Sequence, residues 1–281
     1  LCSGKIYTPK KMLEFSDLKR MLKSNKVSST PIKIALIGDT ATQFLATAIK
    51  GIGIERGYNT DLYEAEYNQV ERQLMDPTSD FYLFDAEISI IFQSTHKLGE
   101  YHSSLPATKQ EHLAEERLSF IAALCENPSF ANKKLIYFNY PEIEDTIFGS
   151  YANKVESSFS YQVRKLNYEL MNLSRQYPNL FVCDIAGLQN MLGRQFMFAP
   201  NVYMTTEMVL SVNAIPYVAS RVMDIIAAIK GQFKKCLILD LDNTVWGGVI
   251  GDDGLEGIEL GHGLGIGKAF TEFQMWVKKL K

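Results

Sequence analysis

Ile32–Thr40 reads IKIALIGDT. The run IKIALI enters Gly38-Asp39-Thr40 with no turn signal inside it. A run apolar on both faces is the pattern of a strand buried between two helical layers. Its polar end matters as much, because open α/β sheets bind ligands at the carboxyl ends of their strands. A helical pattern follows from about Ala41 to Glu55 and closes on a turn at Gly57. Further apolar runs stand at Asp61–Ala65, Glu87–Phe92 (EISIIF), Lys134–Asn139 (KLIYFN) and Leu180–Asp184 (LFVCD). Helical patterns separate them at Lys109–Glu126, Phe159–Arg175 and Ala214–Lys230. This alternation predicts an α/β fold, a doubly wound parallel sheet over residues 31–231. Residues 1–30 are expected to form a helical segment. Within it, KKMLEFSDLKRMLKSNK (10–26) reads as an amphipathic surface helix with Ser16 as N-cap, rather than a basic anchor.

Composition narrows the function. The 281 residues suggest about two domains and suffice to bury a large core. With 32 acidic against 29 basic residues the net charge is −3, which argues against a nucleic-acid partner. No apolar stretch approaches the roughly 20 residues of a membrane span, and the first residues do not resemble a signal peptide. Cys2, Cys125, Cys183 and Cys236 show no CxxC spacing. Cys183 and Cys236 sit in apolar, strand-like runs, where a free thiol packs as a small hydrophobe. Reduced thiols point to the cytoplasm. His96, His102, His112 and His262 form no HxxxH or HxH pair, so a zinc site is not expected, and His112 is placed on a helix face.

The chemistry concentrates later, in LILDLDNTVW (Leu237–Trp246). Cys236–Leu239 reads as a second buried parallel strand that drives into Asp240-Leu-Asp242-Asn-Thr244, with Gly247, Gly248 and Gly251 just beyond. Two carboxylates at i and i+2 of a strand share a face. Like charges that close favour a raised pKa on one of them or a bound cation. An aspartate on Mg2+ can attack phosphorus while its neighbour relays a proton to the leaving oxygen. The plain alternative for any DxD is a solvated loop, and the apolar run before this one weighs against it.

DxDxT after an apolar strand resembles motif I of the haloacid dehalogenase superfamily, most of whose members are Mg2+-dependent phosphohydrolases. The longer string LDLDNTVWGGVIGDDGLEGIEL (239–260) resembles the FkbH-like branch, on Trp246-Gly-Gly248 and Gly251-Asp-Asp-Gly254. The resemblance implies Asp240 as nucleophile and metal ligand, and Asp242 as general acid/base that gives the metal its backbone carbonyl. It implies Thr244 as the residue orienting the Asp240 loop, and a substrate or phosphate loop of Thr244, Trp246, Gly247 and Gly248. Its implied substrate is a small phosphorylated metabolite, such as a three-carbon unit loaded onto an acyl carrier protein, which becomes a candidate partner. Residues 232–281 number 50, against roughly 100–200 for a domain. The family's phosphate-binding Ser/Thr, its Lys and its second acidic pair are not among them; Lys268 and Lys278 are poor substitutes. A fragment of a longer haloacid-dehalogenase-like domain is therefore expected from Gln232 onward.

The order of turns in residues 31–231 also resembles the SGNH hydrolases. Their first strand ends in Gly-Asp-Ser; here it ends in Gly38-Asp39-Thr40. Where they carry a Gly-x-Asn-Asp element, this chain has Phe92-Gln93-Ser94-Thr95. Their closing acid and base align with Met208 and Ser211, and a triad without its base cannot activate an alcohol. A non-catalytic module is expected, with Asp39, Thr40, Gln93 and Asn139 clustered as a binding cleft at the strand ends. The rivals are an esterase using Thr40, and a carrier- or acyl-binding module. The Gly51-Ile-Gly53 and Gly261–Gly267 glycines lack the strand–GxGxxG–helix order of a dinucleotide loop. The latter reads as a loop after a short β segment at Gly257–Leu260. Tyr137, Phe138 and Tyr140 follow strand periodicity and read as core rather than as a base-stacking platform.

Overall fold

In a computed structural model that describes residues 12–24, 27, 29–232 and 234–280, the IKIALIG run is β1 (Ile32–Gly38), buried along nearly its whole length. The chain divides into two units, Leu1–Lys230 and Gly231–Lys281. The first opens with α1 (Phe15–Ser24), β1, α2 (Gln43–Glu55), β2 (Thr60–Glu64), α3 (Val70–Met75), α4 (Asp80–Phe84) and β3 (Ile88–Phe92). It continues through α5 (Thr95–Ser104), α6 (Ala107–Gln110), α7 (Leu113–Glu126), β4 (Lys134–Phe138), α8 (Phe159–Gln176) and β5 (Leu180–Cys183). The helices α9 (Ile185–Leu192), α10 (Arg194–Met197), α11 (Pro200–Thr206) and α12 (Ile215–Ile229) complete it.

The five strands are parallel, in the order β2-β1-β3-β4-β5. Side chains alternate between two cores, as the period of a strand requires. Ile34 and Leu36 of β1, Ile90 of β3 and Phe138 of β4 join one core with Leu18, Ile49, Val218 and Val222 from α1, α2 and α12. Ala35, Ile37, Ile91, Leu135 and Tyr137 join the other with Leu74, Phe81, Ile121 and Leu166 from α3, α4, α7 and α8. The order reverses between β1 and β3, where Gly38 and Phe92 are register partners. The segments that follow them, Asp39 and Gln93, therefore leave the sheet side by side at the topological switch point, where such sheets bind ligands.

Three local expectations are corrected. Ser16 lies inside α1 and does not cap it; Asp17 reaches back instead, accepting from the Glu14 N–H at 3.4 Å and from Arg20 at 2.7 Å. Lys10, Lys11, Asn25 and Lys26 of the expected helix lie outside the described residues. Lys109–Glu126 is two helices, with His112 exposed in the turn before α7 rather than on a helix face. Cys236–Leu239 is not a buried strand. Leu237 is 49% and Ile238 89% exposed, and the Cys236 thiol is exposed as well. A parallel strand needs neighbours for its N–H and C=O groups, and the described residues of the second unit contain no other strand. That unit is built from α13 (Ile250–Gly257), kinked at Gly254, and α14 (Ile266–Lys279), with Gly247 bridged to Glu259 where the short β segment was expected. No helix among the described residues is long and apolar enough to cross a membrane.

Gly51 explains how α1 seats on α2. A Cβ there would stand 2.7 Å from the Cβ of fully buried Leu18 and 3.1 Å from its backbone. Helix propensity favours alanine over glycine by up to about 1 kcal/mol, whereas forcing atoms into a packed contact costs roughly 1–3 kcal/mol. Packing should win. Gly51→Ala should lower the midpoint of urea unfolding, and a raised midpoint would show that α1 does not pack against Gly51.

Candidate functional site

The carboxylates of the second unit sit in a loop built by its own hydrogen bonds. Asp242 is partly buried, and its Oδ1 accepts from the Trp246 indole Nε1–H at 3.1 Å and from the Ile250 N–H at 3.2 Å. Asn243 takes the left-handed conformation (φ 54°), and its Oδ1 accepts from the Gly248 N–H at 2.9 Å. Its own N–H returns to the Gly248 carbonyl at 3.2 Å. Gly248 has φ +91°, and a Cβ there would meet Asp253 Oδ2 at 2.9 Å, the same oxygen that accepts from the Val249 N–H. A Cβ on Gly247 would strike Glu259 and Phe270, each at 2.9 Å. The Trp-Gly-Gly string thus has a physical reason: the indole fixes one carboxylate and the two glycines let the chain close. Thr244 contributes its N–H to the Leu241 carbonyl at 3.2 Å.

Asp240 is exposed, with its Oδ1 accepting from the Leu241 N–H at 2.9 Å. Carboxylates suit Mg2+, a hard cation that takes one or two of them together with waters and phosphate oxygens. The Asp240 carboxylate and the Asp242 backbone carbonyl fit that requirement in chemical type. Among the described residues no group of three or more His, Cys, Asp or Glu could enclose a metal, so the donors offered are this pair. Lys268 faces Glu272 at 3.8 Å on α14.

In the first unit a polar cleft of about 420 Å3 opens at the switch point, lined by Asp39, Gln93, Ser94, Lys97, Arg117 and Tyr140 among others. Both Asp39 oxygens lie 2.9 Å from the Ser94 N–H. Burial nevertheless pushes the Asp39 carboxyl up to about 7, outweighing that hydrogen bond and the charges of Arg117 and Lys97. Gln93 Oε1 accepts from the Tyr137 hydroxyl at 2.6 Å and from Arg117 Nη1 at 3.4 Å, and Tyr137 and Tyr140 share a 2.6 Å hydroxyl contact.

The other two expected members do not line this cleft. Thr40 is fully buried, and its Oγ1 has no hydrogen-bond partner, so no base activates it. The Asn139 side chain is engaged in clipping β4 to α9: its Oδ1 accepts from the Ile185 and Ala186 N–H groups at 2.8 and 2.9 Å, and its Nδ2 donates to Asp184 at 2.6 Å. Ser211 bonds the Phe196 carbonyl and the Ala214 N–H, and Met208 is buried. His96 lies between the Phe198 and Tyr203 rings, held below its ordinary 6.5 by burial. Arg117 and Lys97 escaped the sequence reading. Arg117 had a usable signal, since on α7 it falls among Leu113, Ala114, Ile121 and Leu124, all buried.

A carboxyl whose folded pKa lies above its unfolded value stabilises the fold at low pH and loses that contribution as pH rises through the folded value. For Asp39 the window runs from the ordinary 3.8 to about 7. Stability of the wild type should decline across that window, and Asp39→Asn should flatten the decline. Urea midpoints measured against pH check this; equal slopes in the two proteins would mean the Asp39 carboxyl titrates normally.

Residues 33–227 match the family described as FkbH, N-terminal domain. Among solved structures, the N-terminal part of a Bacteroides fragilis protein, described as containing a phosphatase domain and complexed with Mg, is 63% identical. That similarity covers 95% of this chain and 70% of the other, with a TM-score of 0.90. A GDSL-like lipase from Bacteroides thetaiotaomicron is 13% identical over 78% of this chain and 100% of its own, with a TM-score of 0.44, too slight a likeness to carry an argument. No protein of curated function matches. With 195 of its residues matched by that family and a 63%-identical relative of which it covers 70%, the chain belongs to the FkbH N-terminal domain family.

Proposed function

We propose that the protein is a Mg2+-dependent phosphatase or phosphotransferase of the haloacid dehalogenase type, acting on a small phosphate monoester. The observation that carries this reading is the Asp240-Leu-Asp242 pair, with Asp242 held by Trp246 and the Ile250 N–H. It is supported by a 63%-identical relative described as containing a phosphatase domain and complexed with Mg. In this reading an Asp240 oxygen attacks phosphorus in line, and the bond to the leaving oxygen breaks as Asp242 gives that oxygen a proton. Asp242 then takes a proton from water, whose oxygen attacks the acyl phosphate, releasing phosphate and restoring Asp240. Asp240 and Asp242 would hold the Mg2+, which supplies neutralisation of the phosphoryl charge. Trp246 is a positioning residue: its indole fixes the rotamer of the acid.

Tests belong in the full-length protein with Mg2+. Asp240→Asn should lower turnover of p-nitrophenyl phosphate by several orders of magnitude and abolish labelling of this site by beryllium fluoride, an acyl-phosphate mimic. Asp242→Asn should cost less with p-nitrophenyl phosphate than with an alkyl phosphate, because p-nitrophenolate leaves without help. Trp246→Phe should show the same leaving-group dependence in milder form, roughly tenfold in kcat for alkyl phosphates, the scale of one lost hydrogen bond. Full activity in Asp240→Asn would exclude aspartyl-phosphate chemistry. Hydrolysis of p-nitrophenyl acetate that disappears in Thr40→Ala would instead restore the esterase reading.

A further inference from the structure

An indole aims a carboxylate only as well as its own backbone is held. On the carboxyl side of Trp246 the chain is pinned at Gly247, whose N–H donates to the Glu259 carbonyl at 3.0 Å and whose carbonyl accepts from the Glu259 N–H at 2.8 Å. A Cβ on Gly247 would stand 2.9 Å from the Phe270 ring, so this peptide is seated against α14. On the amino side the pin is a side chain. The Val245 carbonyl, which lies in the same planar peptide as the Trp246 N–H, accepts from Gln274 Nε2 at 2.9 Å. The Val245 N–H is taken by the Leu241 carbonyl at 2.8 Å.

Gln274 is unexpected where it stands. At helical spacing Phe270, Phe273, Gln274 and Val277 share one stripe of α14. Phe270 meets Gly247, and Phe273, Gln274 and Val277 line one groove with Val245, Trp246 and Ile250. Packing alone would be served by an apolar residue, and a partly buried amide in such a stripe needs a reason. The reason is the loop. Among the described residues, the Gln274–Val245 bond is the one side-chain hydrogen bond from α14 to residues 240–250, and it spans 29 positions of sequence.

Resting on the aspartyl-phosphate reading above, we propose that Gln274 is a positioning residue for the Asp242 acid, acting through Trp246. Its amide fixes the Val245–Trp246 peptide, and that peptide aims the indole at Asp242 Oδ1. Without the amide, Asp242 keeps the Ile250 N–H but its hold on the indole is loosened, and the carboxyl can turn away from the leaving oxygen. The loss then falls on proton transfer to the leaving group. Attack by Asp240 is spared, because the Asp240 carboxylate is set by the Leu241 N–H instead.

The test compares Gln274→Met and Gln274→Glu in the full-length protein with Mg2+. Both side chains keep the length and helix propensity of glutamine, and neither can donate to a carbonyl at neutral pH. In each variant kcat for an alkyl phosphate should fall about three- to tenfold, the scale of one neutral hydrogen bond. Turnover of p-nitrophenyl phosphate should stay nearly unchanged, and KM should hold for both substrates. In a Trp246→Phe background Gln274→Met should add nothing, because the indole through which it acts is gone. Without substrate, the Trp246 indole N–H resonance, identified by its loss in Trp246→Phe, should move upfield in both variants. An unmoved resonance, equal losses with the two phosphates, or additive losses in the double variant would each overturn the assignment. A lower melting temperature with unchanged leaving-group dependence would make Gln274 a structural clamp and overturn it too. The resonance is read without turnover and judges placement alone, whereas Asp240→Asn judges the reaction, so the two failures are told apart.

Discussion

Everything in the first unit depends on the parallel pairing of β1 with β3. Parallel strands have no hairpin to set their register, so side-chain burial on both faces must set it. Ile34 opposite Ile88 and Leu36 opposite Ile90 place one set of side chains in one core, and Ala35 and Ile37 point the other way. A slip of one residue would carry Lys33 toward the position now held by Ile34, into a core. The register is thereby fixed, and it ends with Gly38 beside Phe92. That is why two residues 54 apart in sequence, Asp39 and Gln93, share one cleft.

The carboxyl end of the sheet is held by polar clips rather than by packing alone. Asn139 ties the end of β4 to the start of α9 through three hydrogen bonds, and Asp184 caps the same helix at the Gly187 N–H. Gln162 does comparable work between α7 and α8, accepting from the Ala114 N–H and donating to the Glu111 and Glu156 carbonyls. Buried amides of this kind are tolerated because each is satisfied. Thr40, Thr95, His96 and Arg117 depart from that background, each with a buried side-chain polar atom that has no hydrogen-bond partner.

The sheet was legible because its strands carry their burial in composition. IKIALIG, ISIIF and KLIYF are apolar enough on both faces to name themselves, and all three are strands within a residue or two of the expected bounds. The break between α6 and α7 was missed because the residues there, Glu111 and His112, are ordinary helix-surface types, and the interruption comes from how Leu113 and Ala114 dock beside Gln162. In sequence, Thr40 and Asn139 share with Asp39 only a position at strand ends. Strand ends alternate in direction, however, and a polar residue there is as readily recruited to a helix cap as to a cleft. The apolar run at Cys236–Leu239 shows the limit of periodicity: it reports what a segment would bury, not whether a neighbouring strand is available.

That last case separates two kinds of pre-organisation. The cleft residues of the first unit are placed by long-range register, so their geometry requires the whole sheet. Asp242 is placed by partners four and eight residues away, Trp246 and Ile250, and its loop is closed by Asn243 with Gly248 and by Asp253 with Val249. These bonds exist although Cys236–Leu239 has no strand partner, so the loop shape is written into residues 242–253 themselves. Local encoding of this kind keeps the Asp242 carboxylate oriented without waiting on the sheet. It also accounts for the sequence being more restrictive here than DxDxT alone: each of Asn243, Trp246, Gly247, Gly248 and Asp253 answers a specific contact, and the backbone turns at Asn243 and Gly248 admit few alternatives.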